Sequence, residues 1–202
     1  MDFLVTITVL SAIAMSGLRR LKLMTFSFAA QSLSIAVLCF FLGYITKENH
    51  YYILGILTLI IKTIIIPIIM NKSISTLKTA REMNMIVSGF WSYIFSAASV
   101  SLTYMFMKNF DQELIKAGVV LILIGAFILV SRRKAINQMI GFLTVENGLI
   151  LIEISTVKMN LVIEMSMFLE VMILAIIMGI MIFHINKTFD SINTDYLSNL
   201  KE

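Results

Sequence analysis

Long apolar runs interrupted by short charged clusters set the pattern of this chain. Seven such runs lie at roughly residues 3–18, 23–46, 51–70, 85–107, 114–131, 136–157 and 161–186. Most reach the length of about 18–20 residues that carries a helix across a hydrocarbon core of about 30 Å. Helices satisfy their own backbone hydrogen bonds, which a bilayer cannot do for them. The pattern therefore predicts an all-α, polytopic membrane protein with about seven transmembrane helices. A four-helix region spans residues 1–113, and a three-helix region with a polar tail spans 114–202. The first run lacks a preceding positive segment. Its cations follow it, at Arg19, Arg20 and Lys22, so it reads as a short span held by a basic stop and not as a cleaved leader.

The placement of Lys and Arg predicts an orientation. Eleven fall on one set of loops and the C-terminal tail: Arg19, Arg20, Lys22, Lys72, Lys78, Arg81, Arg132, Arg133, Lys134, Lys187 and Lys201. Four fall on the opposite loops, at Lys47, Lys108, Lys116 and Lys158. An odd number of spans with this bias predicts an outside N-terminus and a cytoplasmic C-terminus. The polar stretch 71–84 reads as a cytoplasmic connector, with docking of a peripheral partner as the sharper alternative.

Composition agrees with the spans. Hydrophobic residues make up 59% of the 202 and charged residues 14%, with a mean hydropathy of +0.94, which leaves no room for a soluble domain. The net charge of +4 matches basic loops and gives no sign of nucleic-acid binding. Cys39 is the single cysteine, and the two histidines, His50 and His184, are far apart. No metal site and no redox cofactor are expected in this chain.

Small residues repeat at helical spacing. Ser88, Ser92 and Ser96 share a face of the fourth span, and Ala175 and Gly179 a face of the seventh. Gly118 and Gly125 share a face of the fifth, and Gly141 and Gly148 a face of the sixth. Such faces predict close helix packing and no chemistry. The 15 methionines read as adaptable apolar filler.

The informative residues are the charges inside the spans. At about 1.5 Å of rise per residue, Lys62, Glu146 and Glu170 fall at or near one level in spans three, six and seven. A lone charge at mid-bilayer costs roughly 2.5–3.5 kcal/mol on insertion scales, so these groups are expected to face inward and pair with one another or meet water. Burial and a neighbouring ammonium act on a glutamate in opposite senses, which can tune it for proton transfer. A static pair that fixes packing is the alternative. Glu153 is seven residues beyond Glu146, on nearly the same face and about 10 Å nearer the outer surface. Glu164 could complete an outer tier. His184, near the cytoplasmic end of span seven, is a hydrated anchor or a proton relay, and Asn137 and Gln138 could hold water. Pro67, the single proline, follows Lys62. It is expected to remove the hydrogen bond to the Thr63 carbonyl and kink span three.

These residues carry a resemblance. The arginine pair Arg132–Arg133, the acids Glu146 and Glu170 and the tail HINKTFDSINTDYLSNL make residues 114–202 similar to the K subunit of respiratory complex I. In that subunit the first acid lies nearly one helical turn closer to the arginine pair. The whole chain, with its IGFLTVENGLIL run and a lysine shortly before a proline, resembles the hydrogenase-4 component E family. Those are membrane subunits of group 4 NiFe hydrogenase and formate hydrogenlyase-type complexes. The resemblance implies a subunit of the cytoplasmic membrane, beside antiporter-like subunits and the quinone-subunit homologue. NiFe and iron–sulfur centres would sit in partner subunits, and this chain would have no catalytic activity alone. It also implies that Glu146 and Glu170 belong to a central polar axis that conducts protons; with Lys62, Glu153 and His184, placed by their depth, they make up the expected proton pathway. Two other roles are a subunit of a multi-subunit cation/proton antiporter and a purely structural scaffold. A stand-alone transporter is disfavoured by the lack of a clear inverted repeat.

Overall fold

A computed structural model describes residues 1–76, 86–110, 112–133 and 135–156, together with Phe168, Met172, Ala175, Ile176 and Gly179. Among the described residues every regular element is helical. Helix α1 is Asp2–Gly17, α2 is Leu21–Thr46 and α3 is Asn49–Leu57. A π-helical segment, Thr58–Ile65, leads directly into α4, Ile66–Thr76. Helices α5, Gly89–Phe106, α6, Glu113–Ser131, and α7, Ala135–Thr156, follow. Among the described residues four helical stretches are long and apolar enough to cross a membrane: Leu21–Thr46, Asn49–Asn71, Glu113–Ser131 and Asn137–Ser155. Helix α1 is apolar but shorter.

Helix α5 shows how polarity is distributed. Its buried positions are Gly89, Ser92, Ser96, Ser99 and Thr103, while Phe90, Trp91, Ile94, Leu102, Met105 and Phe106 are exposed. A surface helix of a water-soluble protein does the reverse. Small hydroxylated residues allow close packing where burying apolar surface brings no gain over lipid. Each buried hydroxyl of α5 donates to the carbonyl four residues earlier, so none is left unpaired. The serine stripe differs from expectation at one end, since Ser88 precedes α5 and is exposed.

The tightest packing joins α6 to α7. A Cβ on Gly118 would come 2.6 Å from the Gly148 carbonyl oxygen, and one on Gly125 would come 2.7 Å from that of Gly141. The reverse approaches are 2.6 Å from Gly148 to Gly118 and 2.9 Å from Gly141 to Gly125. The seven-residue spacing in each helix thus brings two glycine pairs into antiparallel register. One apolar core runs through the described helices, with Phe28 and Leu38 of α2, Leu121 and Ile124 of α6 and Ile140 and Leu151 of α7. Helix α1 packs on α2, α5 and α6, and α2 also meets the π segment and α7.

Around Pro67 the helix changes type. The Ile66 N–H bonds to the Ile61 carbonyl, five residues back, so the widened turns lie ahead of the proline and Pro67 falls in the first turn of α4. A proline has no N–H to donate, and the widened π turns lie where a regular helix would run into it. The π segment ahead of Pro67 contains Lys62.

Candidate functional site

Lys62 is completely buried. Its π segment buries only Thr58 and Lys62, so the ammonium is directed at α7. There it meets Glu146, with Nζ to Oε1 at 2.8 Å. The same ammonium donates to Asn147 Oδ1 at 3.1 Å and lies 5.5 Å from the centroid of the Phe168 ring. A buried cation that is hydrogen-bonded and faces a carboxylate escapes most of the penalty of a lone one.

Asn147 ties this pair to a third helix. Its Nδ2 donates to Gln31 Oε1 and to Ser32 Oγ on α2, both at 3.3 Å. An ammonium can only donate, so the carboxamide turns its oxygen to Lys62 and its nitrogen to α2. Asn147, Gln31 and Ser32 are all fully buried. Gln31 Nε2 and Thr58 Oγ1 have no hydrogen-bond partner among the described residues, and a buried polar atom of that kind is a place for water. Replacing Asn147 by leucine is expected to lower stability by about 1–3 kcal/mol, because it strips an acceptor from Lys62 and leaves Gln31 and Ser32 facing hydrocarbon. Denaturation of the purified protein in mixed micelles, followed by circular dichroism, measures this; an unchanged midpoint would show that the network contributes nothing.

Lys62 and Glu146, expected at one depth, are in direct contact. Glu153 is half-buried on α7, about 10 Å along the helix from Glu146 by rise. One of its carboxylate oxygens, Oε2, is buried and has no partner among the described residues. Glu170, His184 and Glu164 lie outside the described residues, as do most of the seventh span and the segment 77–85. Of the seventh span's small pair, Ala175 is buried and Gly179 faces Ile69 of α4, 3.6 Å from where its Cβ would be.

Two cations do not sit where a loop reading puts them. Lys116 lies inside α6, nearly buried, and pairs with Glu113 at 2.8 Å. Arg132 is only 1% exposed. Its Nη2 donates to the Ser16 carbonyl in the last turn of α1, and it follows the last residue of α6. Two helix C-termini, each about half a negative charge, thus offset its charge. Burial lowers the guanidinium to about 10, which leaves it charged at neutral pH.

The residues that sequence reading missed as ligands are Asn147, Gln31 and Ser32. A signal was present: Asn147 adjoins Glu146, and Gln31 is a primary amide inside a long apolar run, where such a group needs a partner.

Fold and site together define a class, an all-helical protein with membrane-spanning helices packed around a buried lysine–glutamate pair. No protein-family model matches the chain. It is similar to Uncharacterized protein Rv0085 of Mycobacterium tuberculosis (strain ATCC 25618 / H37Rv), with 21% identity over 210 residues that cover 100% of this chain and 96% of that protein. No solved structure matches it.

Proposed function

We propose that the chain is an integral membrane subunit of an energy-converting NiFe hydrogenase complex, of the kind the hydrogenase-4 component E resemblance suggests. Its contribution is a set of buried ionisable groups on a proton pathway. The observation that carries this reading is the Lys62–Glu146 pair, 2.8 Å apart and closed off from solvent. A packing helix has no need of such a pair, whereas buried ionisable groups in membrane spans mark ion and proton pathways. A proton that reaches Glu146 removes the charge that holds Lys62. The ammonium then sheds a proton onward or shifts toward another acceptor. Gln31 Nε2 and Thr58 Oγ1, which have no partner among the described residues, leave places for water to carry that proton.

In this reading the chain crosses the cytoplasmic membrane seven times, with its N-terminus outside. Antiporter-like subunits and the quinone-subunit homologue flank it, and the NiFe and iron–sulfur centres belong to partners. Glu170 and His184 complete the pathway, and Glu153 serves its outer end. The intact complex in vesicles tests the assignment. Glu146→Gln is expected to cut proton pumping about a hundredfold or more, the scale of losing a positioned proton-transfer group, while the complex still assembles. Unchanged pumping by an assembled complex would remove the relay role and favour a structural scaffold.

A further inference from the structure

Lys62 sits in its site as a guest would. An ammonium has three N–H donors, and three different kinds of group surround it here. The Glu146 carboxylate at 2.8 Å balances the charge. The Asn147 carbonyl oxygen at 3.1 Å gives direction. The Phe168 ring, with its centroid 5.5 Å away, presents the electron-rich face that attracts organic cations. None of these groups belongs to the helix that carries Lys62. Asn147 is also held from behind by Gln31 and Ser32 of α2, which directs its oxygen toward the site.

We propose that Glu146, Asn147 and the Phe168 ring form a buried site for one monovalent cation of the ammonium type, and that Lys62 is its tethered occupant. Asn147 is the positioning residue, since it directs the occupant through its own hydrogen bonds to α2. A cation in this site stabilises the charge on Glu146. When Lys62 withdraws, a second cation of the same kind can take its place. The inference rests on the geometry of the site and holds whether or not protons cross the membrane here.

A tethered occupant can be cut free. Lys62→Ala deletes three methylene groups and the ammonium, which n-propylammonium replaces in shape and charge. The whole chain is refolded from dodecyl sulfate into bilayers under conditions where the unsubstituted protein regains its helical content. Lys62→Ala is expected to refold poorly alone and to recover in n-propylammonium chloride, with the unsubstituted chain unaffected by the amine. Adding Asn147→Leu to Lys62→Ala is expected to raise the amine concentration needed for half recovery about tenfold, and adding Glu146→Gln to abolish the effect of the amine, since a neutral pair needs no counter-ion. Three results overturn the proposal: recovery by n-propanol or sodium chloride as good as by the amine, an effect of the amine that persists without Glu146, or no recovery with the amine present throughout. The readout is folding, so it stands apart from the pumping assay that tests the hydrogenase reading.

Discussion

Lys62→Met is expected to destabilise the folded helices by about 3–5 kcal/mol, the cost of leaving one member of a buried ion pair uncompensated. Methionine fills nearly the same volume, so little of the loss comes from a cavity. It comes from Glu146, which is itself only 7% exposed, and from Asn147, whose oxygen loses its donor. Glu146→Gln is expected to cost less, because a carboxamide oxygen still accepts from the ammonium. The double variant Lys62→Met/Glu146→Gln is expected to recover most of the loss, since replacing both members of a buried pair by neutral groups is often close to neutral for stability. Dodecyl sulfate titration of the four proteins, followed by circular dichroism, gives the coupling energy directly. Strictly additive losses would show that the two side chains do not act as a pair. Such coupling measures stability alone, and the pumping assay remains the test of transport.

The second large effect is expected where α6 meets α7. Gly125→Ala would place a methyl group 2.7 Å from both the Gly141 carbonyl oxygen and the Val145 backbone nitrogen. Backbone atoms of a neighbouring helix cannot swing aside as a side chain does, so the helices must part. Alanine is worth up to about 1 kcal/mol more than glycine in a helix, and overpacking costs about 1–3 kcal/mol. The net result is expected to be destabilising by about 1–2 kcal/mol on those figures, and larger for Gly125→Val. Gly179→Ala is the control: among the described residues its Cβ would meet Ile69 Cγ2 at 3.6 Å, an ordinary contact, so the change is expected to be neutral or slightly favourable. The same titration reads all three, and equal behaviour of Gly125→Ala and Gly179→Ala would refute the close-packing account.

Much of this was visible in the linear pattern, residue by residue. The apolar runs located most described helices to within a few residues, although α5 starts at Gly89 and not at 85, and α4 runs on to Thr76 and not to 70. The seven-residue glycine spacing correctly assigned Gly118 with Gly125, and Gly141 with Gly148, to contact faces. It could not say which glycine meets which, because register depends on how the α6–α7 turn sets the two helices. Arg132 was read as a loop cation because basic residues between spans are usually solvated; the structure buries it at the carbonyl end of α1. Lys116 counted toward the loops by position alone, yet it lies within α6 and pairs with Glu113.

The site divides in the same way. Depth follows from counting residues along a helix, so sequence placed Lys62 and Glu146 at one level. Direction does not follow so simply. The turn of span three on which Lys62 sits is π-helical, which rotates every later side chain away from the phase of a regular α-helix. The arrival of Gln31 and Ser32 behind Asn147 depends on contact between helices more than a hundred residues apart in sequence. By itself, then, the sequence determined that this protein is helical, largely membrane-spanning and burdened with buried charge, because length, composition and rise are properties of single segments. Only the tertiary structure decided that Lys62 closes on Glu146 and Asn147, because the phase and register of packed helices are set between segments.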